Sequence, residues 1–219
     1  MMARIERVRE VRERLLADGS LSPIAIGPSE GAALRDWVRH EGARRTLEVG
    51  LGYAVSTLFI CEGLLENGGD VGHVAIDPYQ FESRPGDRTL FGGVGVATLE
   101  DAGVRDLVEL VVERSETALP RLLSGSRRFD LAFVDGNHRF EGVFVDLVFC
   151  GKLVAPGAVL FVDDAQLPAV RRVAQFCVSN LDWTVEDEGS EDEHEWLVLR
   201  TGSPEAFHRP FDSFVDFQR

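Results

Sequence analysis

Short apolar runs recur along the chain, each followed by a stretch whose apolar positions return every three or four residues. The runs are "RTLEVG" (45–50), "VGHVAID" (71–77), "LVELVVE" (107–113), "FDLAFVD" (129–135) and "GAVLFVDD" (157–164). Helical patterns fall at 53–66, near 93–102, and at 115–123, 139–152 and 167–180. Runs with no polar side, alternating with helices, predict βαβ units and a parallel sheet buried on both faces.

The two ends differ from the middle. Residues 3–17 predict a charged amphipathic helix stopped by "DGS", and 27–42 a second one, with Ser29 as N-cap and Gly42 past its end. Near the other end, "WTVEDE" (183–188) and "EHEWLVLR" (193–200) predict an antiparallel hairpin. The acidic run 186–195 is expected to be its solvated turn. The fold expected is therefore α/β, a doubly wound, mostly parallel seven-stranded sheet with a C-terminal antiparallel hairpin. A single domain over 1–219 is expected: N-terminal helices (1–42), the core (43–200) and a tail (201–219). Phe207, Phe211, Phe214 and Phe217 follow the last strand. A lone domain has little core left to cover them, so a homodimer or higher homo-oligomer is expected, with the tail or the N-terminal helix at the contact.

Charge and composition narrow the function classes. The formal net charge is −14, which argues against a general nucleic-acid or acidic-membrane surface. No apolar run is long enough to span a membrane, and "MMARIERVREVRERLL" is too charged for a secretory signal, so a cytoplasmic protein is expected. The cysteines Cys61, Cys150 and Cys177 are odd in number and far apart, which fits free buried thiols.

The first strand leads into "EVGLGYAVS" (48–56), where Gly50 and Gly52 let the backbone approach a ligand closely. The following helix offers its N-terminal amides to an anion. A dinucleotide fingerprint needs a third glycine where this chain has Val55. Asp77 ends the second strand, where an acid can accept both hydroxyls of a ribose. In open parallel sheets, ligands bind beyond such strand ends.

Taken together, "RTLEVGLGYAVSTLFI", "GHVAIDPYQ", "VELVVERSETALPRL", "FDLAFVDGNHRFEGVFVDL" and "LVAPGAVLFVDD" resemble the class I S-adenosylmethionine-dependent methyltransferases, with the Rossmann-like methyltransferase fold. Within them the chain is most similar to the small metal-dependent O-methyltransferases of catechol and macrocin type, over about residues 23 to 200. The resemblance implies that Glu48, Gly50, Gly52 and Ser56 surround the methionine part of S-adenosylmethionine, and that Asp77 binds its ribose. It places Ser115 and Glu116 near the adenine, and Asp135 beside the cofactor. Tyr79 either stacks on the adenine or packs.

Asp135, Asp163 and Asp164 end the fourth and fifth strands, so two buried runs finish in Phe-Val-Asp. Clustered carboxylates repel one another, and an all-oxygen set suits Mg²⁺, Ca²⁺ or Mn²⁺. The resembling family places divalent-metal ligands at these three positions. The alternative is that they are caps and turn formers. A metal there, with Mg²⁺ as the first choice, would bind two substrate oxygens and lower the pKa of the hydroxyl to be methylated. His138 is the candidate base, or else caps the helix at 139–152 or pairs with Glu141. Macrocin-type enzymes carry an acid where this chain has Asn137, and catechol-type enzymes use a nearby lysine; the one lysine here, Lys152, lies at the far end of a helix. Residues 78–93 are longer than a strand–helix connection requires and suggest a substrate lid, with Arg84 and Arg88 available to an anionic substrate.

The function expected is a metal-dependent O-methyltransferase acting on a small molecule with adjacent oxygens, such as a natural-product intermediate. The alternative is a catalytically inactive S-adenosylmethionine-binding module serving assembly or regulation. A nicotinamide-dependent oxidoreductase is disfavoured by Val55.

Overall fold

The computed structural model describes residues 1–17, 25–84, 90–210 and 212–217. Its seven strands follow the order β3-β2-β1-β4-β5-β7-β6, the doubly wound arrangement with antiparallel strands at the C-terminal edge. The chain forms two compact units, Met1–Arg114 and Ser115–Arg219. No helix among the described residues is long and apolar enough to cross a membrane.

The first unit holds α1 (Met2–Leu16), α2 (Pro28–His40), β1 (Arg45–Val49), α3 (Val55–Asn67), β2 (Gly72–Ile76), α4 (Val94–Asp101) and β3 (Val108–Val111). β1 pairs parallel with β2, and β2 with β3. α3 is buried from Val55 through Leu65, which explains its lack of a polar stripe. Ile5, Val8 and Val11 of α1 pack into one cluster with Leu58, Cys61 and Leu65 of α3. Charge then fixes the seating. Glu62 of α3 is fully buried and accepts from Arg9 at 2.7 Å and from Arg12, whose guanidinium lies 4.2 Å over the Phe59 ring. α2 crosses α3 closely enough that a Cβ on Gly31 would stand 2.1 Å from the Phe59 ring, so only glycine fits there. α2 begins at Pro28 with Gly27 as its cap residue, not with Ser29: proline's fixed φ suits the first helical position, and Ser29 falls inside the first turn.

The second unit holds α5 (Ser115–Ser124), β4 (Phe129–Val134), α6 (Phe140–Leu153), β5 (Val154–Val162), α7 (Pro168–Asn180), β6 (Thr184–Glu191) and β7 (His194–Arg200). β4 pairs parallel with β5, β7 runs antiparallel to β5, and β6 antiparallel to β7. The acidic run is mostly strand. Residues 186–191 belong to β6, which is exposed along most of its length, and the turn is confined to residues 192 and 193. Charged side chains suit a sheet edge, so the run guards β6 instead of looping away from it.

The aromatic tail makes contacts within its own unit. Phe176 of α7 meets Phe214 and Phe217, with ring centroids 6.3 and 5.5 Å apart. The Asn180 amide donates to the Val215 carbonyl at 2.9 Å and accepts from the Val215 amide at 2.8 Å. The docking is partial, since Phe214 stays 64% exposed; Phe211 lies outside the described residues. All three cysteines are free and buried.

Candidate functional site

In the first unit the glycine loop leaves β1 and enters α3. Gly50 donates its amide to the Ile76 carbonyl at 2.9 Å and sits at φ +99°, and Gly52 follows at φ +53°. These backbone angles favour glycine, because a Cβ clashes with the chain there. The residue before α3, Ala54, is also left-handed, and no side chain caps the first turn of α3.

Asp77 stands where β2 ends and organises that loop. Its Oδ2 accepts the Gly52 amide at 3.0 Å, and its Oδ1 accepts the Tyr79 amide at 2.8 Å. Burial pushes its carboxyl above the ordinary range, while the two amides and Gln80 pull the other way. Gln80 is the residue that sequence reasoning missed. Fully buried, it donates to the Gly52 carbonyl at 3.0 Å and to Asp77 at 3.3 Å, and accepts the Gly95 amide at 2.9 Å. The loop, β2 and α4 are thereby tied by one amide side chain; its adjacency to Asp77 in "DPYQ" was the only available signal.

Glu48 lies deeper. Its carboxylate accepts from Ser56 Oγ at 2.5 Å and Thr57 Oγ1 at 2.6 Å, and His73 Nε2 lies 3.1 Å away. The other ring nitrogen of His73 is 2.8 Å from Thr46 Oγ1. All five side chains are buried, so every lone pair engaged here is one withdrawn from water. Tyr79 is 39% exposed, and its hydroxyl receives a bond from Arg114 at 3.5 Å.

The segment expected to be a lid is held at its described ends: the Gly92 amide donates to Glu82 at 2.8 Å and the Gly93 amide to Gln80 at 2.6 Å. Arg84 is exposed, and Arg88 lies outside the described residues.

In the second unit the strand-end acids gather around His138. Asp135 follows β4, and Asp164 follows β5 in the left-handed region at φ +56°. His138 Nε2 is 3.0 Å from Asp164 Oδ2 and 3.4 Å from Asp135 Oδ1. Each of the three offers a ligand atom within 4.8 Å of the others. The remaining Asp164 oxygen accepts from Gln166 at 2.6 Å, and His194 at the start of β7 stands 3.6 Å from it. Asp163 is turned differently. It is 8% exposed, and its Oδ1 takes the Asp164 amide at 2.5 Å, so it braces the chain beside the cluster without joining the three.

Electrostatics follow from this crowding. Burial first, then the neighbouring Asp163, hold the Asp135 carboxyl well above the usual range. The bond to Asp135 and the surrounding acids lift the His138 imidazolium to about 9. His138 does not cap α6: the helix has no side-chain cap at Arg139, and Asn137 Oδ1 takes the Arg139 amide at 3.0 Å. Ser115 opens α5 half-buried, with Glu116 exposed beside it. Burial raises the Asp146 carboxyl of α6 to about 6.

A family model described as a methyltransferase domain matches residues 47–165. The chain is 27% identical over 162 residues to a caffeoyl-CoA O-methyltransferase of Populus kitakamiensis, covering 73% of this chain and 63% of that one. It is 31% identical over 144 residues to a catechol O-methyltransferase of Mycobacterium tuberculosis, covering 66% of this chain and 58% of that one. The chain thus spans about six tenths of the length of these two relatives. Among solved structures, an O-methyltransferase of Bacillus cereus in complex with SAH superposes with a TM-score of 0.71 at 18% identity, over 90% of each chain. The O-methyltransferase TomG of Streptomyces achromogenes, involved in tomaymycin synthesis and solved with SAM, superposes with a TM-score of 0.67 at 25% identity, over 91% of this chain and 90% of that one.

Proposed function

Because the chain belongs to the methyltransferase domain family, we propose that it moves a methyl group from S-adenosylmethionine to an oxygen of a small molecule with adjacent oxygens. The observation that carries the oxygen-directed reading is the cluster of Asp135, His138 and Asp164 at the ends of β4 and β5. Two carboxylates and one imidazole, with ligand atoms this close, form a donor set that fits a divalent cation. Such a cation would supply Lewis acidity toward two neighbouring substrate oxygens.

The chain's own residues supply position and charge. Asp77 is the ribose acceptor in this reading, set by the Gly52 and Tyr79 amides so that its carboxylate points are fixed before a ligand arrives. The Gly50–Gly52 backbone and Ser56 border the methionine end, with Glu48 bracing Ser56 from behind. Ser115 and Glu116 are assigned to the adenine side. Asp135 and Asp164 would hold the cation, with Asp163 beside them bracing the Asp164 backbone; methyl transfer asks for alignment more than covalent help.

The substrate class is a catechol, a sugar diol or a natural-product intermediate; the names of the relatives support the first and the last. A homodimer working in the cytoplasm belongs to the same reading, with Phe214, 64% exposed, at the contact. The deciding experiment incubates the chain with S-adenosylmethionine and a panel of catechols, glycosides and hydroxy acids, with and without EDTA. S-adenosylhomocysteine release that EDTA stops and Mg²⁺ or Mn²⁺ restores is the expected result. Full release in EDTA would overturn the metal-assisted part, and NAD binding without S-adenosylhomocysteine binding would overturn the whole.

A further inference from the structure

We propose that His138 is itself a ligand of the cation, and that this nitrogen donor turns the site toward transition metals and away from Mg²⁺. This rests on the metal-assisted reading above and departs from an all-carboxylate site.

Geometry makes the case. Two donors set at right angles around an ion, each about 2.1 Å from it, stand about 3.0 Å from one another. The Nε2 of His138 stands 3.0 Å from Asp164 Oδ2 and 3.4 Å from Asp135 Oδ1, close to two edges of such a polyhedron. A hydrogen bond alone explains only half of this. Nε2 carries at most one proton, and one proton serves one acceptor well, whereas this nitrogen faces carboxylates from two different strand ends. A cation satisfies all three groups together.

The surroundings favour the same assignment. Gln166 occupies Asp164 Oδ1 at 2.6 Å, which leaves Oδ2 as the oxygen facing His138. Asn137 is spent on the Arg139 amide, so His138 is the residue of this loop that reaches the cluster. Asp163 Oδ1 accepts the Asp164 amide, and the ligand atom that stands within 4.8 Å of both Asp135 and Asp164 is the His138 nitrogen. An imidazole whose lone pair is bound to an ion accepts no proton, so His138 is not the base. Carboxylates alone suit Mg²⁺, Ca²⁺ and Mn²⁺, and an added imidazole shifts preference along the series toward Fe²⁺, Co²⁺ and Ni²⁺.

Chelator-treated full-length chain, titrated with Mn²⁺ and examined by pulsed electron paramagnetic resonance, tests this directly. The expected result is a nitrogen hyperfine coupling in the unaltered chain and in His194→Ala, and no coupling in His138→Gln. Mn²⁺ affinity in His138→Gln falls roughly 10- to 100-fold, and the Mn²⁺-to-Mg²⁺ preference falls with it. Circular dichroism of His138→Gln, matching the parent chain, excludes unfolding as the cause. Mn²⁺ bound without nitrogen coupling, or a coupling that survives His138→Gln, overturns the assignment and leaves the methyltransferase reading standing. No Mn²⁺ binding at all overturns it together with the metal-assisted part of that reading, while S-adenosylhomocysteine binding still reports on the rest.

Discussion

His73 Nε2 lies 3.1 Å from the Glu48 carboxylate, with neither side chain exposed. The ring thereby joins β2 to the strand that carries the glycine loop, and Thr46 fixes its other nitrogen. Replacing His73 by leucine leaves Glu48 with two hydroxyl donors in place of three partners. The expected loss is about 1–3 kcal/mol of stability, read as a lower urea midpoint with an unchanged slope. A neutral His73→Leu would mean that the two hydroxyls alone satisfy Glu48.

Asp77→Ala should weaken S-adenosylhomocysteine binding by about 1–3 kcal/mol, measured by calorimetry. Part of that loss comes from the chain itself, since Gly52 and Tyr79 lose the acceptor that sets the loop. Asp77→Asn retains one such acceptor and should lose less. Equal affinity in Asp77→Ala and the parent would show that the ribose is held elsewhere.

Asp146 gives a stability signature in pH. It is fully buried, and its pKa rises from 3.8 to about 6, chiefly through desolvation. A carboxyl with a raised folded pKa binds its proton more tightly in the native chain, so stability is greatest at low pH and falls as pH rises toward about 6. One pKa unit is worth about 1.4 kcal/mol, so the fall amounts to about 3 kcal/mol. Asp146→Asn should lack it: the stability gap between variant and parent should widen in the variant's favour from pH 4 to pH 6 and stay level above pH 7. A gap independent of pH would show the carboxyl to be solvated.

Glu62→Ala should be among the most damaging changes on α3. Arg12, only 7% exposed, would remain buried without its carboxylate, at a cost of about 3–5 kcal/mol. Burial alone would raise the Glu62 pKa, but Arg12 and Arg9 outweigh it and hold it below 4.5. The pair's contribution is therefore present above that value and lost as pH falls through the lowered one. Thermal melts at pH 7 and pH 3 should show a variant deficit at the first that shrinks at the second.

Asp164→Asn should reduce Mn²⁺ binding sharply while leaving S-adenosylhomocysteine binding within about twofold, because the change removes one charge from a divalent site. Calorimetry with each ligand separates the two. Loss of both together would show that the residue supports the fold.

The alternation of strand and helix was legible because strands buried on both faces appear as unbroken apolar runs, and "FDLAFVD" and "GAVLFVDD" became β4 and β5. β6 was legible only in part: "WTVEDE" marked its first half, but the strand is exposed along most of its length and has no buried side to impose alternation, so the acids of its second half resembled a turn. The strand-end acids were legible as a group, but not their placement: successive residues aim their side chains differently, Asp164 takes a left-handed backbone, and it is Asp164 whose oxygen stands 3.0 Å from His138. Gln80 was out of reach, since its three bonds depend on α4 and the glycine loop arriving at one place.

The acidic edge strand bears on how copies of the chain meet in concentrated solution. β6 exposes a row of backbone donors and acceptors, and any second β6 laid beside it would bring its own glutamates and aspartates within a few ångströms. That mutual repulsion opposes edge-to-edge pairing at neutral pH. Acid removes it one proton at a time, and bonds from Arg200 and Thr184 hold the Glu186 carboxyl low. Once acid has neutralised it, the edge is expected to become a seam along which native molecules can stack, so turbidity at low pH would arise from intact sheets joining and not from a core that has come apart.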